Sequence, residues 1–283
     1  MACLRKGYKL IAIDLDGTLL TPDRRITPRT HRALHVAVES GMLVVICTGR
    51  GLPQTVDVIG EIEIRMPLVL HNGAMIAEYP EGRVIERFPL RMNSAHRAVK
   101  AMKGIGMTPA VYDWVSGEHL LVCEKGTSPN PALSRYLMGK GPALRWVDDL
   151  IGYLDHDVTQ IMTIDLRSLV FEVIERLERE VPEARIITSG RVYSDRYWFL
   201  EVLDRRASKA DALERLGEMY GISPRQMVAI GDNFNDVNMF QQVGLSVAMG
   251  NAPDEVKAIA DVVTSSNEEE GVAEIIERLI FER

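Results

Sequence analysis

Leu10-Ile11-Ala12-Ile13-Asp14-Leu15-Asp16-Gly17-Thr18-Leu19-Leu20 is the stretch on which the fold is decided. Four apolar residues in a row are broken at once by two carboxylates, a glycine and a threonine. That is the form of a buried parallel strand delivering polar groups at its carboxyl end. Downstream, Thr27 can cap a helix opened by Pro28, with Ala33, Leu34, Ala37 and Val38 at helical spacing and Gly41 as its stop. Met42-Leu43-Val44-Val45-Ile46-Cys47 is a second apolar run, ending at Thr48-Gly49-Arg50. Pro67-Leu68-Val69-Leu70 is a third, ending at His71-Asn72-Gly73. Strand, helix and strand in this order predict an α/β fold, a Rossmann-like doubly wound parallel sheet.

The rhythm changes near residue 82. Hairpin arms are expected at 75–79 and 84–88, around Pro80-Glu81-Gly82. A helix is expected at 94–103, strands at 110–115 and 119–123, and a Gly/Pro/Ser-rich loop at 126–131. A strand at 159–164, a helix capped by Ser168 and running to about 180, and strands near 186–187 and 197–202 follow. Strands outnumber helices here, which predicts an α+β insert with an antiparallel sheet. The α/β rhythm resumes at Ser208, a cap for a helix over 209–220, and a strand over 227–230 ends in Gly231-Asp232. A short helix over 236–242, strands at 245–249 and 262–263, and a last helix from about Asn267 complete the set, with Glu268, Glu269 and Glu270 facing that helix's positive end. The expected organisation is a discontinuous core, 1–82 with 205–283, and an inserted cap, 83–204.

Composition narrows the function classes. With 283 residues, 46% hydrophobic and 26% charged, the chain is of ordinary globular make-up, not disordered or fibrous. Its 33 Lys+Arg against 40 Asp+Glu give a net charge of −7, so no basic footprint for nucleic acid or an anionic membrane is present. No apolar run approaches the roughly 18–20 residues of a membrane span. Asp14 and Asp16 interrupt the one stretch that mimics a signal peptide. Cys3, Cys47 and Cys123 are far apart, which suggests neither a disulfide framework nor a zinc ribbon and fits a reducing, cytoplasmic setting. Cys47, inside an apolar run, reads as a small buried hydrophobe.

In an open parallel sheet, chemistry collects at the carboxyl ends of the strands. This chain places Asp14, Asp16, Thr18, Thr48, Arg50, Asn72, Asp232, Asn235 and Asp236 there. Four acids on one edge repel one another unless a cation or a proton intervenes. An all-oxygen donor set favours Mg²⁺ over Zn²⁺ or copper. Lys209, at a helix start, is the candidate counter-charge for an anion. Singly, each feature has a bland reading as a turn, a cap, a loop or a solvated lysine. Their ordered occurrence at successive strand ends is what points to a site.

Five segments carry a resemblance. Asp14-Leu15-Asp16-Gly17-Thr18-Leu19-Leu20, Val45-Ile46-Cys47-Thr48-Gly49-Arg50, Asn72-Gly73-Ala74, Ser208-Lys209 and Gly231-Asp232-Asn233-Phe234-Asn235-Asp236 resemble the ordered motifs of the haloacid dehalogenase superfamily. The likeness is to its Cof-like sugar phosphatases with a large α/β cap, and it extends to Ala248-Met249-Gly250-Asn251-Ala252. Arg206-Ala207-Ser208-Lys209-Ala210 departs from the commoner Gly-Val-Ser-Lys-Gly but keeps the lysine.

The resemblance implies a Mg²⁺-dependent phosphatase hydrolysing phosphate monoesters of small metabolites, sugar phosphates above all. Asp14 would be the nucleophile, forming an aspartyl-phosphate, and Asp16 the general acid/base, which requires a raised pKa. Mg²⁺ would be held by Asp14, the Asp16 backbone carbonyl and Asp232, with Asp236 just outside. Thr48 and Lys209 would stabilise the transferring group, and Thr48, Gly49, Arg50, Asn72, Lys209 and Asn235 would line the phosphate side. A phosphomutase or phosphotransferase with the same covalent step is an alternative, and a non-catalytic phosphate-binding regulator is another. A dinucleotide-binding enzyme is excluded: no GxGxxG follows the first strand, and Gly104-Ile105-Gly106 lacks the third glycine. Tyr112, Trp114, His119, Tyr193 and Trp198 of the insert fit either a pocket lining or the insert's own core.

Overall fold

The first apolar run forms β1 (Leu10–Asp14), buried along its whole length. It lies inside an eight-stranded sheet. The structure, a computed structural model, describes residues 7–127, 129–189 and 192–281. Cys3 lies outside these residues. After β1 come α1 (Pro28–Glu39), β2 (Leu43–Cys47), α2 (Leu52–Ile59), β3 (Met66–Leu70), β4 (Met75–Tyr79) and β5 (Val84–Arg87). The next run comprises α3 (Met92–Lys103), β6 (Ala110–Val115), β7 (Glu118–Glu124), α4 (Pro131–Met138), β8 (Leu144–Val147), α5 (Leu150–Tyr153), β9 (Gln160–Leu166), α6 (Arg167–Glu180), β10 (Ala184–Ser189) and β11 (Tyr197–Asp204). The chain ends with α7 (Lys209–Tyr220), β12 (Met227–Gly231), α8 (Val237–Phe240), β13 (Leu245–Ala248), α9 (Asp254–Lys257), β14 (Val262–Val263) and α10 (Gly271–Phe281).

Two compact units result. One runs to Arg87 and resumes at Ser208; the other is Phe88–Ala207. The boundary expected at 82 lies at the tip of a hairpin. Its second arm, β5, pairs with β4 (Met75 opposite Arg87), so the chain stays with the first sheet until Arg87. At the return, the Ala207 N–H bonds the Asp204 carbonyl, so the turn after β11 belongs to the second unit.

The first sheet has the order β14-β13-β12-β1-β2-β3-β4-β5. Its strands from β14 to β3 are parallel, and only the hairpin edge is antiparallel. Ile13 is level with Ile46 of β2 and with Ile230 of β12. The residues just past Asp14, Cys47 and Gly231 therefore emerge together at one edge, as this topology demands. Thr27 accepts from the Thr30 N–H and caps α1, with Pro28 in its first turn. Under the sheet, Leu213 and Leu216 of α7 pack with Ala12, Val45 and Ala229. Each buried leucine is worth roughly 1.5–3 kcal/mol, so α7 is anchored firmly, and Lys209 at its first residue with it.

The second unit is built on a six-stranded sheet, β10-β11-β9-β6-β7-β8, antiparallel except for the β7–β8 pair. One face packs Val111, Ile161 and Leu200 against α3 and α6 through Ala95, Val99, Val170 and Val173. The other packs Tyr112, Met162 and Ile164 against Leu133 and Leu137 of α4. Tyr112 is thus core, and Trp198 packs against the first cluster beside Phe171. Trp114 and His119 face each other across β6 and β7, and Tyr193 is exposed beneath the Arg135 guanidinium.

Three local expectations are corrected. The loop expected at 126–131 runs into α4, where Asn130 accepts from the Ala132 and Leu133 N–H groups. Ser168 does not cap α6: the helix follows β9 directly, with Leu166 at the cap position. The last helix starts at Gly271, so the acidic run precedes it, and the Glu270 carboxylate instead takes the Thr27 hydroxyl and the Arg29 guanidinium. Among the described residues no helix is long and apolar enough to cross a membrane.

Candidate active site

Lys209 is the centre of the site, and backbone geometry puts it there. Ser208 caps α7 by accepting from the Asp211 N–H. The turn after β3 lies directly on this cap: Gly73 has φ +99°, and a Cβ there would sit 2.1 Å from the Ser208 carbonyl oxygen. Only glycine allows that approach. The Lys209 side chain is fully buried, and its Nζ donates to Asp14 Oδ1 at 2.5 Å and to Asp236 Oδ1 at 2.7 Å. Asp236, also fully buried, accepts on Oδ2 from the backbone N–H groups of Asp232 and Asn233, both at 3.0 Å. A Cβ on Gly231 would lie 2.5 Å from the Asp236 carboxyl carbon, so the end of β12 is bare to admit it. Asp232 in turn accepts from the Thr18 hydroxyl at 2.9 Å, and Gly17 (φ +85°) clears its carboxylate.

The electrostatics follow from this crowding. Burial pushes the Asp14 carboxyl well above the usual range; Lys209 pulls it down, and Asp236 and Asp232 push it up again. Burial, with Asp236 beside it, raises Asp232 to about 7, against the Thr18 hydrogen bond and Lys209. Burial works against the Lys209 charge, but Asp14 and Asp236 more than offset it, and the ammonium is held above its ordinary value. One lysine does not satisfy three acids, two of them buried and the third half-buried.

A hard cation fits what is left over. Carboxylate oxygens of Asp14, Asp232 and Asp236 lie within 4.8 Å of one another. Oxygens bound to a single ion at about 2.1 Å stand roughly 3–4 Å apart, so the cluster is close to a ligand set. All its donors are oxygen, and burial, with the neighbouring carboxylates behind it, works against the charged forms of Asp14 and Asp232, a cost that a divalent cation would relieve. Asp236 contributes from behind, since each of its oxygens already accepts a hydrogen bond.

Asp16 stands apart from this cluster. Its side chain is 55% exposed, against 8% for Asp14. Its carboxylate takes Arg50 Nε at 2.7 Å and Nη2 at 2.5 Å. A metal role for Asp16 therefore rests on its backbone carbonyl, not on its side chain, which lies past the end of β1 and is exposed. Arg50, expected on the phosphate side, is engaged with Asp16. Thr48 is buried, its hydroxyl accepting from the Arg50 N–H at 3.1 Å and its carbonyl from the Asn72 N–H at 3.0 Å. Asn72 adopts a left-handed conformation (φ 51°, ψ 31°), accepts from Asn235 Nδ2 at 3.1 Å and lies against Gly49. The second and third strand ends are thus tied to the loop after β12.

Thr18, one of the predicted strand-end residues, and Asn251, which is not among them, also join the site. The Thr18 bond to Asp232 couples the first loop to the fourth, and its signal is the threonine of the Asp-x-Asp-Gly-Thr run. Asn251 donates to the Gly17 carbonyl at 2.8 Å and accepts from the Asn267 N–H, which pins the turn beside Asp16. Its signal is the Gly250-Asn251 segment, whose role the spacing alone does not reveal. Cys47, level with Asp14 on β2, is buried, and burial pushes its thiol up.

The sequence profile described as haloacid dehalogenase-like hydrolase matches residues 11–276. The chain is 28% identical over 286 residues to phosphatase YwpJ of Bacillus subtilis (strain 168), covering 96% of this chain and 100% of the relative. It is 30% identical over 287 residues to 5-amino-6-(5-phospho-D-ribitylamino)uracil phosphatase YwtE of the same organism, covering 96% and 98%. A haloacid dehalogenase-like hydrolase from Bacteroides thetaiotaomicron superposes with a TM-score of 0.80 at 27% identity, over 96% of this chain and 99% of that one.

Proposed function

Because the chain belongs to the haloacid dehalogenase-like hydrolase family, we propose that it is a Mg²⁺-dependent phosphatase that cleaves phosphate monoesters of small metabolites through an aspartyl-phosphate on Asp14. The observation that carries this reading is the buried Lys209, bridging Asp14 and Asp236 beside Asp232. Folding alone gives no reason to bury a lysine among carboxylates, because removing such charges from water costs several kcal/mol each.

Asp14 attacks phosphorus with one carboxylate oxygen, and the bond from phosphorus to the ester oxygen breaks. The proton for the departing oxygen comes from Asp16, whose exposed carboxyl faces outward from the same turn. Water then attacks the aspartyl-phosphate, gives its proton to Asp16, and releases inorganic phosphate and the free Asp14 carboxylate. Lys209 holds Asp14 in place and, with Thr48, balances the charge on the transferring group. Asp236 keeps Lys209 and the Asp232 loop in register. When bound by Asp14, Asp232 and the Asp16 carbonyl, Mg²⁺ supplies the positive charge that lets an anionic nucleophile meet an anionic phosphate. The substrate class is a sugar or polyol phosphate, a reading supported by the phosphoribityl compound in the name of the 30% identical relative.

Rapid-quench turnover of a ³²P-labelled ester tests the mechanism. Label is expected on the peptide containing Asp14, and Asp14→Asn is expected to lose both label and turnover while remaining folded. An Asp14→Asn protein with wild-type turnover overturns the proposal.

A further inference from the structure

We propose that Arg50 is a positioning residue for Asp16, its guanidinium holding the carboxyl in place for proton transfer instead of binding the substrate phosphate; this rests on the reading of Asp16 as general acid/base. Arg50 presents Nε and Nη2 to the two Asp16 oxygens in a paired, fork-to-fork contact. Asp16 needs such a partner. It lies beyond the last residue of β1, with its side chain more than half exposed. A carboxylate in that position sweeps several rotamers unless something holds it.

Arg50 is itself anchored. Its side chain is 19% exposed, and Nη1 donates to the Gln54 carbonyl at 3.3 Å in the first turn of α2. Its backbone N–H donates to the Thr48 hydroxyl, and its carbonyl accepts from the His71 N–H at 2.9 Å. The residue is thus fixed at both ends, by the second and third strand ends and by α2. The guanidinium edge facing Asp16 is already used. To grip a phosphate with that edge, Arg50 would have to release the carboxyl that protonates the leaving group.

The test exploits the leaving group. An alkoxide leaves a phosphate slowly without a proton, whereas p-nitrophenolate leaves readily as an anion. Loss of a correctly placed acid therefore falls on alkyl esters. The measured quantity is kcat/KM, which reports the step up to the first P–O cleavage, for glucose 6-phosphate and p-nitrophenyl phosphate with the full-length protein. For Arg50→Ala, kcat/KM on the sugar ester is expected to fall about 30-fold or more, within the range of general acid catalysis. On the aryl ester it is expected to fall at least tenfold less. Arg50→Lys, which keeps the charge but loses the fork, is expected to resemble Arg50→Ala, and it carries the test if the alanine variant does not fold.

Asp16→Asn, measured alongside, separates the two layers of argument. If it does not shift the alkyl-to-aryl ratio, the reading of Asp16 as general acid fails. If it does shift the ratio while Arg50→Ala lowers both esters equally, or Arg50→Lys restores activity, Arg50 binds phosphate and the positioning role is overturned. In the Asp16→Asn background, adding Arg50→Ala is expected to leave the ratio unmoved; a further shift overturns the proposal as well.

Discussion

Replacing Asp236 with asparagine changes a single side-chain atom and is expected to destabilise the first unit by about 3 kcal/mol. The magnitude comes from the donors around it. Oδ1 accepts from the Lys209 ammonium, and Oδ2 accepts from two backbone N–H groups, of Asp232 and Asn233. All three neighbours donate, and the residue is fully buried. An amide has only one acceptor atom. If its oxygen stays with Lys209, its NH₂ confronts the two part-buried N–H groups, each costing about 1–3 kcal/mol when left unsatisfied away from water. If the amide turns over, the NH₂ confronts the ammonium, and loss of a buried ion-pair partner costs about 3–5 kcal/mol. The cheaper orientation sets the cost, near 3 kcal/mol, since Asp14 still pairs with Lys209. For a unit of this size that is a fall of about 6–12 °C in Tm. Calorimetry with metal chelated is the assay, because ligand binding to the native state would mask the loss. A Tm within about 2 °C of wild type would refute the claim that the Asp236 carboxylate is structurally committed to three donors.

Other perturbations probe different parts of the molecule. Gly17→Ala places a Cβ 2.4 Å from Asp232 Oδ2 at φ +85°; a loss of about 1–3 kcal/mol and weaker Mg²⁺ binding by titration calorimetry are expected, and unchanged values would contradict the packing described. EDTA is expected to abolish phosphate release and Mg²⁺ to restore it. Ca²⁺ is expected to compete without supporting turnover, because it accepts bidentate carboxylates that would occupy both Asp14 oxygens; equal rates with Ca²⁺ would refute that geometric argument. In the second unit, the hydrogen bond to Asp155 raises the His156 pKa despite partial burial, and Asp113, which also takes the Tyr153 hydroxyl, raises it further. A raised folded-state pKa means that the imidazolium's contribution is full below about 6.5 and is lost as pH rises through the higher folded value. The melting of that unit is therefore expected to fall slightly between pH 6 and 9, with His156→Gln removing the slope, whereas an unaltered slope would exclude His156 as its source.

The parts of the fold legible in the sequence are those whose burial is two-sided. β1, β2, β3 and β12 lie inside a parallel sheet, so each reads as an unbroken apolar run with polar residues at its end. α2 is not legible, because Gly51 supplies no side-chain cap and Pro53 in its first turn, so close after Gly49 and Gly51, reads equally as part of a loop. α4 is hidden for the opposite reason: Asn130-Pro131 is a cap followed by a first-turn proline, yet the surrounding glycines, serines and prolines carry the signature of a loop. The start of α10 is set by a tight local turn. A Cβ on Gly271 would lie 2.1 Å from the Ser265 carbonyl oxygen six residues back, so that turn fixes the first residue, and Glu270 of the acidic run that matches a helix start by charge bonds to Thr27 and Arg29.

The site follows the same division between composition and contact. Residue types at the strand ends announce an anionic cluster, a lysine and an all-oxygen donor set, because those are local facts of the sequence. Which acid does which job is not local. Asp14 and Asp16 are two residues apart, yet one ends a buried strand beneath Lys209 and the other is exposed beside Arg50. In the proposed mechanism the first is the nucleophile, held by Lys209, and the second the general acid/base, held by the Arg50 guanidinium. Two like carboxylates thus have unlike surroundings, and the roles proposed for them follow from that difference. Those surroundings are set by Gly73 against Ser208 and Gly231 against Asp236, where the absence of a single carbon lets two loops close on a lysine. The lysine that reads as a solvated helix residue from its own neighbours in sequence is thereby fully buried, like its partner Asp236.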